Sequence, residues 1–160
     1  MTIQVGDRIP SATLMKAGAE GPQPVSTDDY FAGRKIALFS VPGAFTPTCS
    51  ARHLPGFVER ADELKGKGVD EVACVAVNDA FVMGAWGQQA GAEGKVTMLA
   101  DGNGDFAEAL GLTMDGSKFG LGKRGSRWSA IVDDGVVSEL NVEEPGAFNV
   151  SSAEYLSAQL

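Results

Sequence analysis

The chain is poor in the residues and runs on which several classes of protein depend. It has two cysteines in 160 residues, too few for a disulfide framework. It has no apolar run long enough to cross a bilayer. Basic residues number 13 against 21 acidic ones, and the formal net charge is -8. This excess of negative charge argues against nucleic acid and against an anionic membrane as the main partner.

The start of the sequence lacks the marks of a secretory signal. Residues 1–6 have neither a basic beginning nor an apolar core. With so few cysteines the chain is expected to be cytoplasmic, where thiols stay reduced, and a targeting segment already removed is the open alternative. Hydrophobic residues at 44% and charged residues at 21% are typical of a soluble globular protein. Because the chain has no repeat and no linker, we expect residues 1–160 to form one domain.

What the sequence does contain is an alternation of predicted strands and helices. Strands are predicted at 12–15, 36–41, 69–77 and 96–99, and as a hairpin at 127–132 and 136–142. Helices are predicted after 26–27, from 46 through 64 with a kink or restart at Pro55, after 78–79, near 105–110, and from Ser151 as N-cap. Residues 111–126 are predicted to be a long irregular loop. This order predicts an α/β fold with a mixed sheet flanked by helices, of which the thioredoxin fold is the best-known example.

One cysteine lies where a strand is expected to give way to a helix. The predicted strand 36–41 is followed by the octet Pro42-Gly43-Ala44-Phe45-Thr46-Pro47-Thr48-Cys49. Thr46 suits the N-cap and Pro47 the first helical position, which puts Cys49 in the first turn. Unpaired backbone N–H groups and the positive end of the helix dipole face that turn and favour the thiolate, the reactive form of cysteine. The pattern therefore predicts a reactive thiol.

The residues around Cys49 also match a known signature. Pro42-x-x-x-Thr46-x-x-Cys49 resembles the active-site motif of the peroxiredoxins, and residues 41–50 together with 53–57 resemble the type II, peroxiredoxin-5-like subclass. Further stretches resemble that subclass in content and order: Val75-Ala76-Val77-Asn78-Asp79, Ala85-Trp86-Gly87, Arg127-Trp128-Ser129 and Asn141-Val142-Glu143. The resemblance covers nearly the whole chain. It implies a thioredoxin-like fold, reduction of hydrogen peroxide and alkyl hydroperoxides, a homodimer, no metal and no organic cofactor.

The resemblance also implies roles for individual residues. Cys49 is expected to be the peroxidatic cysteine, whose thiolate attacks a peroxide oxygen and becomes a sulfenic acid. Thr46 is expected to direct its hydroxyl at the peroxide and the thiolate while also serving as N-cap. Arg127 is expected to support both through its fork of donors, with Arg124 as the alternative arginine. Pro42 is expected to shield the sulfur from water and to fix the loop.

Other candidate residues are expected to be mainly structural. His53, the one histidine, is expected to support the base of the pocket rather than to carry protons, since nothing in the sequence supplies the third group of a catalytic Cys-His pair. Trp86 and Phe119 could wall the pocket or join a dimer contact, but isolated aromatics are more often core residues. Cys74 stands in an apolar run and is expected to lie in the core, at the centre of the sheet.

The fate of an oxidised Cys49 depends on which thiol reaches it. Relatives that form an internal disulfide carry a resolving cysteine near the start of the last helix, and by alignment that position is Ser151 here. An external thiol is therefore expected to reduce Cys49, with glutathione and glutaredoxin as first choice and thioredoxin as second. A redox-sensing or partner-binding module that uses Cys49 oxidation as a signal is the competing function. A disulfide reductase is disfavoured because the chain has no Cys-x-x-Cys pair.

Overall fold

A computed structural model of the chain describes residues 2–18 and 20–160. The helices and strands have the following bounds in chain order, Cys49–His53 being a π-helical turn and Ser117–Phe119 a 3₁₀ turn: β1 Thr13–Gly18, β2 Gly21–Ser26, α1 Thr27–Tyr30, β3 Lys35–Ser40, α2 Leu54–Gly66, β4 Glu71–Ala76, α3 Ala80–Gln89, β5 Thr97–Ala100, α4 Asp105–Leu110, β6 Thr113–Asp115, β7 Lys123–Gly125, β8 Trp128–Asp133, β9 Val136–Val142 and α5 Ala153–Ala158. Within the described ranges, no helix is both long enough and apolar enough to span a membrane.

The strands form a mixed sheet with helices on both faces. In the described part of the chain, seven strands lie in the order β2-β1-β5-β4-β3-β8-β9. The central strands β3, β4 and β5 run parallel, whereas β8 and β1 pair antiparallel with β3 and β5. Helices α2, α3 and α5 contribute to the core on one face, and α1 and α4 to the core on the other. The predicted thioredoxin-like α/β fold is therefore confirmed.

The strand that leads to Cys49 is buried on both of its faces. Phe39 packs in the core beside α2 and α3, while Leu38 packs in the core on the opposite side of the sheet, and both are 0% exposed. Helices cover both faces of the parallel strands, so β3 is apolar at successive positions instead of alternating with polar residues. This burial fixes the carboxyl end of β3, where the Cys49 loop begins.

Two predictions about secondary structure are wrong. Strand β2 was not predicted, because Pro22 and Pro24 interrupt the pattern of a strand; it lies at the edge of the sheet and pairs with β1, a position that tolerates proline. Residues 111–126, expected to be an irregular loop, instead contain β6, a 3₁₀ turn and β7, and the two strands pair antiparallel. Each of these strands has three residues, too few for a hydrophobic period to be recognised in the sequence.

The predicted hairpin is confirmed at the last two strands. Asp133 pairs with Val136, which leaves Asp134 and Gly135 as a two-residue loop. Both loop residues have positive φ angles, 49° and 79°, as a type I′ turn requires. The hairpin brings the residue before β8 and the residue after β9 to the same end of the sheet.

The cap of the last helix differs from the prediction by one residue. Ser152, not Ser151, is the N-cap of α5, and its hydroxyl accepts a hydrogen bond from the backbone N–H of Tyr155 at 3.0 Å. Ser151 is buried and forms hydrogen bonds with other partners. The Ser-Ser pair makes either serine a plausible cap from sequence alone, since both precede the helical pattern by a suitable distance.

Candidate active site

The octet before Cys49 connects the carboxyl end of β3 to the start of a helix. The helix begins at Pro47, which places Thr46 at the N-cap position and Cys49 third in the helix, as predicted. Phe45 adopts a left-handed φ of 65°, a conformation that is strained for a bulky residue and is found mostly in turns and functional loops. The strain is confined to the point where the chain reverses from strand to helix.

Cys49 opens a widened turn rather than a regular α-helical one. Residues Cys49–His53 form a π-helix, and the backbone N–H of Leu54 donates to the carbonyl of Cys49. The α-helix α2 then starts at Leu54, next to Pro55. Proline has no N–H to donate and its ring collides with the carbonyl four residues earlier in a regular α-helix, so a wider turn relieves both conflicts. The predicted restart of the helix at Pro55 is confirmed in this form.

An arginine from the far end of the chain contacts the Cys49 sulfur. Arg127 directly precedes β8, and its Nη2 donates a hydrogen bond to Sγ of Cys49 at 3.0 Å. Its Nη1 donates to Nδ1 of His53 at 2.7 Å. Among the described residues, no carboxylate lies within ion-pair distance of this guanidinium. The positive charge of Arg127 is therefore available to a negative charge on the sulfur.

His53 is a neutral acceptor for Arg127. Because Nδ1 accepts from Arg127, the ring proton is on Nε2, which donates to the carbonyl of Ser151 at 2.8 Å. Burial, followed by the neighbouring Arg127 charge, lowers the pKa of His53 to about 3. Both ring nitrogens are thus committed to partners other than Cys49. This arrangement matches the expected supporting role and does not provide a base for the thiol.

Aromatic side chains enclose the His53 ring. The ring centroids of Phe39, Phe57 and Phe148 lie 4.8, 5.6 and 4.9 Å from that of His53. Phe148 also lies under the guanidinium of Arg127, whose Cζ is 5.7 Å from the ring centroid. Phe148 was not among the predicted site residues. It comes from a loop close to α5 in sequence, and only the folded chain brings it to the arginine.

Arg124, the alternative arginine, forms hydrogen bonds with backbone carbonyls and does not contact the Cys49 sulfur. Its Nη1 donates to the carbonyls of Pro42 at 3.4 Å and Val77 at 3.3 Å, and its Nε donates to the carbonyl of Leu121 at 2.9 Å. A methyl group added at Gly43 would lie 3.0 Å from Nη1, so the loop and the arginine are in close contact. The structure thus brings Arg127, not Arg124, to the cysteine.

Thr46 and Pro42 lie on the loop as the sequence requires, and both are half-buried. The Thr46 hydroxyl donates to the carbonyl of Gly43 at 2.7 Å. Its proton is therefore used within the loop, and its oxygen is left as an acceptor. The expected N-cap hydrogen bond, in which Thr46 would accept from a helical N–H, is replaced by this contact.

The two cysteines are both free thiols and both fully buried. Cys74 lies on β4, between Phe39 of β3 and Met98 of β5 in the pairing register. Burial raises the pKa of the Cys74 thiol well above its ordinary value. The prediction that Cys74 is a core residue is confirmed.

The two aromatic candidates have different surroundings. Trp86 is 1% exposed, and its indole N–H donates to the hydroxyl of Ser50, the residue after Cys49, at 3.0 Å. It is both a core residue and a support for the π-helical turn. Phe119 is 81% exposed, so its assignment to the core is wrong. It belongs to the short 3₁₀ turn between β6 and β7.

One functional candidate is absent from the predicted site residues. Glu143 directly follows β9 and is 8% exposed. Its Oε2 accepts hydrogen bonds from the backbone N–H groups of Asn149, Val150 and Ser151, each at 2.8 Å, and from the Ser151 hydroxyl at 2.7 Å. The sequence offers one signal for Glu143, a carboxylate just after a predicted strand and shortly before Pro145-Gly146. The sequence does not indicate its partners, because they lie in a loop with no regular pattern.

Comparison with known proteins identifies the family. The family model described as Redoxin matches residues 4–156. The chain is 54% identical over 158 residues to the chloroplastic peroxiredoxin-2E-2 of Oryza sativa subsp. japonica, a match that covers 96% of this chain and 70% of that protein. The crystal structure of reduced Prx3 from Vibrio vulnificus in complex with hydrogen peroxide superposes with a TM-score of 0.95 and 52% identity over 99% of both chains. The chain is a peroxiredoxin.

A further structure supports the subclass. Peroxiredoxin 5 from Alvinella pompejana matches with a TM-score of 0.84 and 37% identity over 98% of both chains. The predicted resemblance to the type II, peroxiredoxin-5-like subclass is thus confirmed, and this peroxiredoxin is a thiol-dependent peroxidase, an oxidoreductase. Among the described residues, no group of three or more His, Cys, Asp or Glu side chains is arranged to hold a metal ion.

Proposed function

We propose that this peroxiredoxin reduces hydrogen peroxide and alkyl hydroperoxides through Cys49. The observation that carries the proposal is the 3.0 Å hydrogen bond from Arg127 to the Cys49 sulfur. A fully buried thiolate loses its hydration, and a charged, fork-shaped donor compensates for that loss. In the reaction the thiolate attacks one peroxide oxygen, an S–O bond forms and the O–O bond breaks. Cys49 becomes a sulfenic acid, and the other oxygen takes a proton and leaves as water or alcohol.

Three other groups assist this displacement in the proposal. The hydroxyl oxygen of Thr46 remains available as an acceptor because its proton is donated to the Gly43 carbonyl. It accepts a hydrogen bond from the peroxide O–H and so aligns the reacting oxygen with the sulfur. Arg127 stabilises the negative charge that develops on the leaving oxygen. Pro42, at the end of β3, limits the access of water to the sulfur. The roles of Thr46 and Pro42 are proposed from their positions in the loop that leads to Cys49, and the role of Arg127 from its hydrogen bond to the sulfur.

We propose that an external thiol, glutathione with glutaredoxin, reduces the sulfenic acid. Two features of the chain support this. Ser151 stands where a resolving cysteine is expected, and it is buried and bonded to Glu143. Cys74 is a free thiol that is fully buried between neighbouring strands of the sheet, which supports its assignment as a core residue and not as a resolving cysteine. Thioredoxin is the alternative reductant.

Peroxide consumption with two reducing systems tests both proposals. Wild type, Cys49→Ser and Cys74→Ser are each assayed with glutathione plus glutaredoxin and with thioredoxin plus its reductase. We expect loss of turnover in Cys49→Ser and normal turnover in Cys74→Ser with glutathione. Turnover by Cys49→Ser would refute the role of Cys49, and loss of turnover in Cys74→Ser would give Cys74 a part in recycling. Oxidation of wild type without turnover in either system would favour a redox sensor.

We propose that the protein is a homodimer and cytoplasmic. Three exposed phenylalanine side chains support a dimer contact: Phe45 at 48%, Phe81 at 75% and Phe119 at 81%. Aromatic residues are enriched at protein–protein interfaces relative to the rest of the surface. Light scattering after gel filtration tests the dimer, with Phe119→Ser expected to weaken it. Cell fractionation tests the location, since two of the similar plant proteins are described as chloroplastic.

A further inference from the structure

The Glu143 carboxylate organises a loop beneath the active site. A single oxygen, Oε2, accepts three backbone N–H bonds and one hydroxyl bond from residues 149–151. The backbone N–H of Glu143 donates to the carbonyl of Arg127 at 3.0 Å. Glu143 is therefore attached by its main chain to the arginine that contacts Cys49, and by its side chain to the loop that contacts His53.

A continuous series of hydrogen bonds runs from this carboxylate to the sulfur. Ser151, held by Glu143 through both its N–H and its hydroxyl, presents its carbonyl to Nε2 of His53 at 2.8 Å. Nδ1 of His53 accepts from Arg127 at 2.7 Å, and Arg127 donates to Cys49 at 3.0 Å. In this series each residue is hydrogen-bonded both to the residue before it and to the residue after it, so a change at Glu143 can be passed on to Arg127.

The Ser151 carbonyl and Arg127 contact His53 on opposite sides of the ring and select the same tautomer. Arg127 can only donate, so it requires a lone pair on Nδ1, and the Ser151 carbonyl can only accept, so it requires the proton on Nε2. If the carbonyl moved away, the buried Nε2–H would lose its acceptor, and the tautomer that offers Nδ1 to Arg127 would lose one of its two supports. In the other tautomer the guanidinium would lose one of the two contacts that direct it at the sulfur.

Phe148 provides a second link between the loop and the arginine. It immediately precedes Asn149, the first residue whose N–H is held by Glu143. Its ring lies 4.9 Å from the His53 ring and 5.7 Å from Cζ of Arg127, measured to the centroid. Release of residues 149–151 would therefore also free the ring that limits the positions open to Arg127.

The carboxylate is charged under ordinary conditions. Burial alone raises the pKa of Glu143, but the hydrogen bonds from Asn149, Ser151 and Val150 outweigh burial and leave the pKa below its usual value. A charged acceptor forms stronger hydrogen bonds than a neutral one, which explains how one oxygen holds four donors. Ionisation of Glu143 is therefore part of what keeps the loop in place.

We propose that Glu143 is a positioning residue for the peroxidase reaction. It holds the Ser151 carbonyl on His53, supports the tautomer of that ring that accepts from Arg127 and so keeps Arg127 directed at Cys49. The inference rests on the proposed role of Cys49 in peroxide reduction. Glu143 touches neither the sulfur nor the peroxide, and its effect passes through His53 and Arg127.

The first test uses the only histidine of the chain as a direct probe. Nitrogen-15 NMR of the reduced protein reports the tautomer of His53 with no assignment problem. We expect the Nε2–H tautomer in wild type and a loss of that preference in Glu143→Ala. The matched control is Glu144→Ala, which removes the neighbouring carboxylate, an exposed one. An unchanged tautomer in a folded Glu143→Ala protein would overturn the proposal.

The second test measures the thiol itself, in a Cys74→Ser background so that only Cys49 reacts. The titratable groups that face Cys49 from neighbouring elements are Arg127, His53 and Cys74, and Cys74 is absent from this background. We expect iodoacetamide alkylation and peroxide oxidation of Cys49 at neutral pH each to slow about tenfold in Glu143→Ala, because the charged donor at the sulfur is no longer held in place. Glu144→Ala should match the background on both measurements.

A conservative variant separates positioning from a general loss of stability. Glu143→Gln keeps an oxygen acceptor without the charge, so it should restore part of the alkylation rate and of the tautomer preference. If Glu143→Ala does not fold, Glu143→Ser, whose side chain is two carbon atoms shorter, replaces it, and a wild-type alkylation rate together with a wild-type tautomer in that variant would refute the proposal. Because alkylation and NMR need no peroxide, they can succeed even if Cys49 proves not to be the peroxidatic residue.

Discussion

The two cysteines of this chain are equally buried and differ in almost everything else. Cys49 and Cys74 are each 0% exposed. Cys49 lies at the start of a helix and accepts a hydrogen bond from Arg127. Cys74 lies in the middle of the sheet, with Phe39 and Met98 as its neighbours on the adjacent strands. One environment supplies charge and donors to a sulfur that has lost its water, and the other supplies neither.

The difference leads us to expect different reactivity from two equally buried thiols. At Cys74, burial raises the pKa and favours the protonated sulfur. At Cys49, the sulfur accepts a hydrogen bond from Arg127, which is itself bonded to the neutral ring of His53. We therefore expect reactivity to depend on which polar groups are buried together with the sulfur.

The largest expected effect is a direct contrast between the two thiols. Iodoacetamide should alkylate Cys49 of the folded protein about a thousandfold faster than Cys74 at neutral pH, because of the two sulfurs only that of Cys49 accepts a hydrogen bond from a charged donor. Peptide mass spectrometry after timed quenching measures both rates in one sample. In denaturant the two rates should become similar. Comparable alkylation rates in the folded protein would contradict the expected difference in reactivity between Cys49 and Cys74.

The next effect contrasts the two arginines. Arg127→Ala should slow the oxidation of Cys49 by peroxide about a hundredfold, since it removes a charged donor aimed at the reacting sulfur. Arg124→Ala is the matched control, because Arg124 contacts backbone carbonyls of the loop and not the sulfur. Single-turnover stopped-flow measurements give both rates. Equal losses in the two variants would mean that loop stability, and not the donor, is what Arg127 provides.

A smaller effect appears in the pH dependence of stability. The unfolded chain protonates His53 as the pH falls through about 6.5, whereas the folded protein resists protonation until about pH 3. The unfolding free energy should therefore be highest above pH 6.5 and fall by about 2 kcal/mol from pH 8 to pH 5. Urea denaturation at several pH values measures it. His53→Gln should lack this part of the dependence, and an identical slope in both proteins would contradict the depressed pKa.

The smallest effect belongs to Cys74. Cys74→Ala should lower the unfolding free energy by about 1 kcal/mol, because it leaves a small cavity in the sheet core. Peroxide oxidation of Cys49 should stay unchanged. Urea denaturation and the single-turnover rate, measured on the same preparation, test the two halves of this prediction. A slower oxidation rate would show that the two sulfurs are coupled despite their different surroundings.

The parts of the fold that were predictable are those encoded by neighbouring residues. The buried strand before Pro42, the helix start at Pro47 and the two-residue turn at Asp134-Gly135 each depend on a few adjacent positions. Strand β2 was missed because its prolines resemble a loop until the edge position of the strand is known. The exposure of Phe119 was missed because composition and pattern do not say which aromatic side chains the fold leaves uncovered.

Of the contacts in the site, only the one between Arg127 and Cys49 was predictable. The resemblance to a family predicted it, although 78 residues separate the two. Three features depend on how the β9–α5 loop packs against the π-helical turn that carries His53. They are the tautomer of His53, the position of Phe148 and the four hydrogen bonds to Glu143. That loop has no periodic pattern, and its order comes from hydrogen bonds to one carboxylate. Sequence reasoning has no local signal for contacts of this kind.

The complete burial of the Cys49 sulfur means that chemistry at this residue requires the site to open. Cys49 is 0% exposed, so not even a water molecule touches the sulfur in this conformation, and a peroxide is larger than water. In the proposed cycle a small opening admits the peroxide, whereas a tripeptide or a protein thiol needs a larger one. We expect the larger opening at the π-helical turn, the part of the site that departs from a regular helix, and its rate would then set how long a sulfenic acid at Cys49 waits for repair.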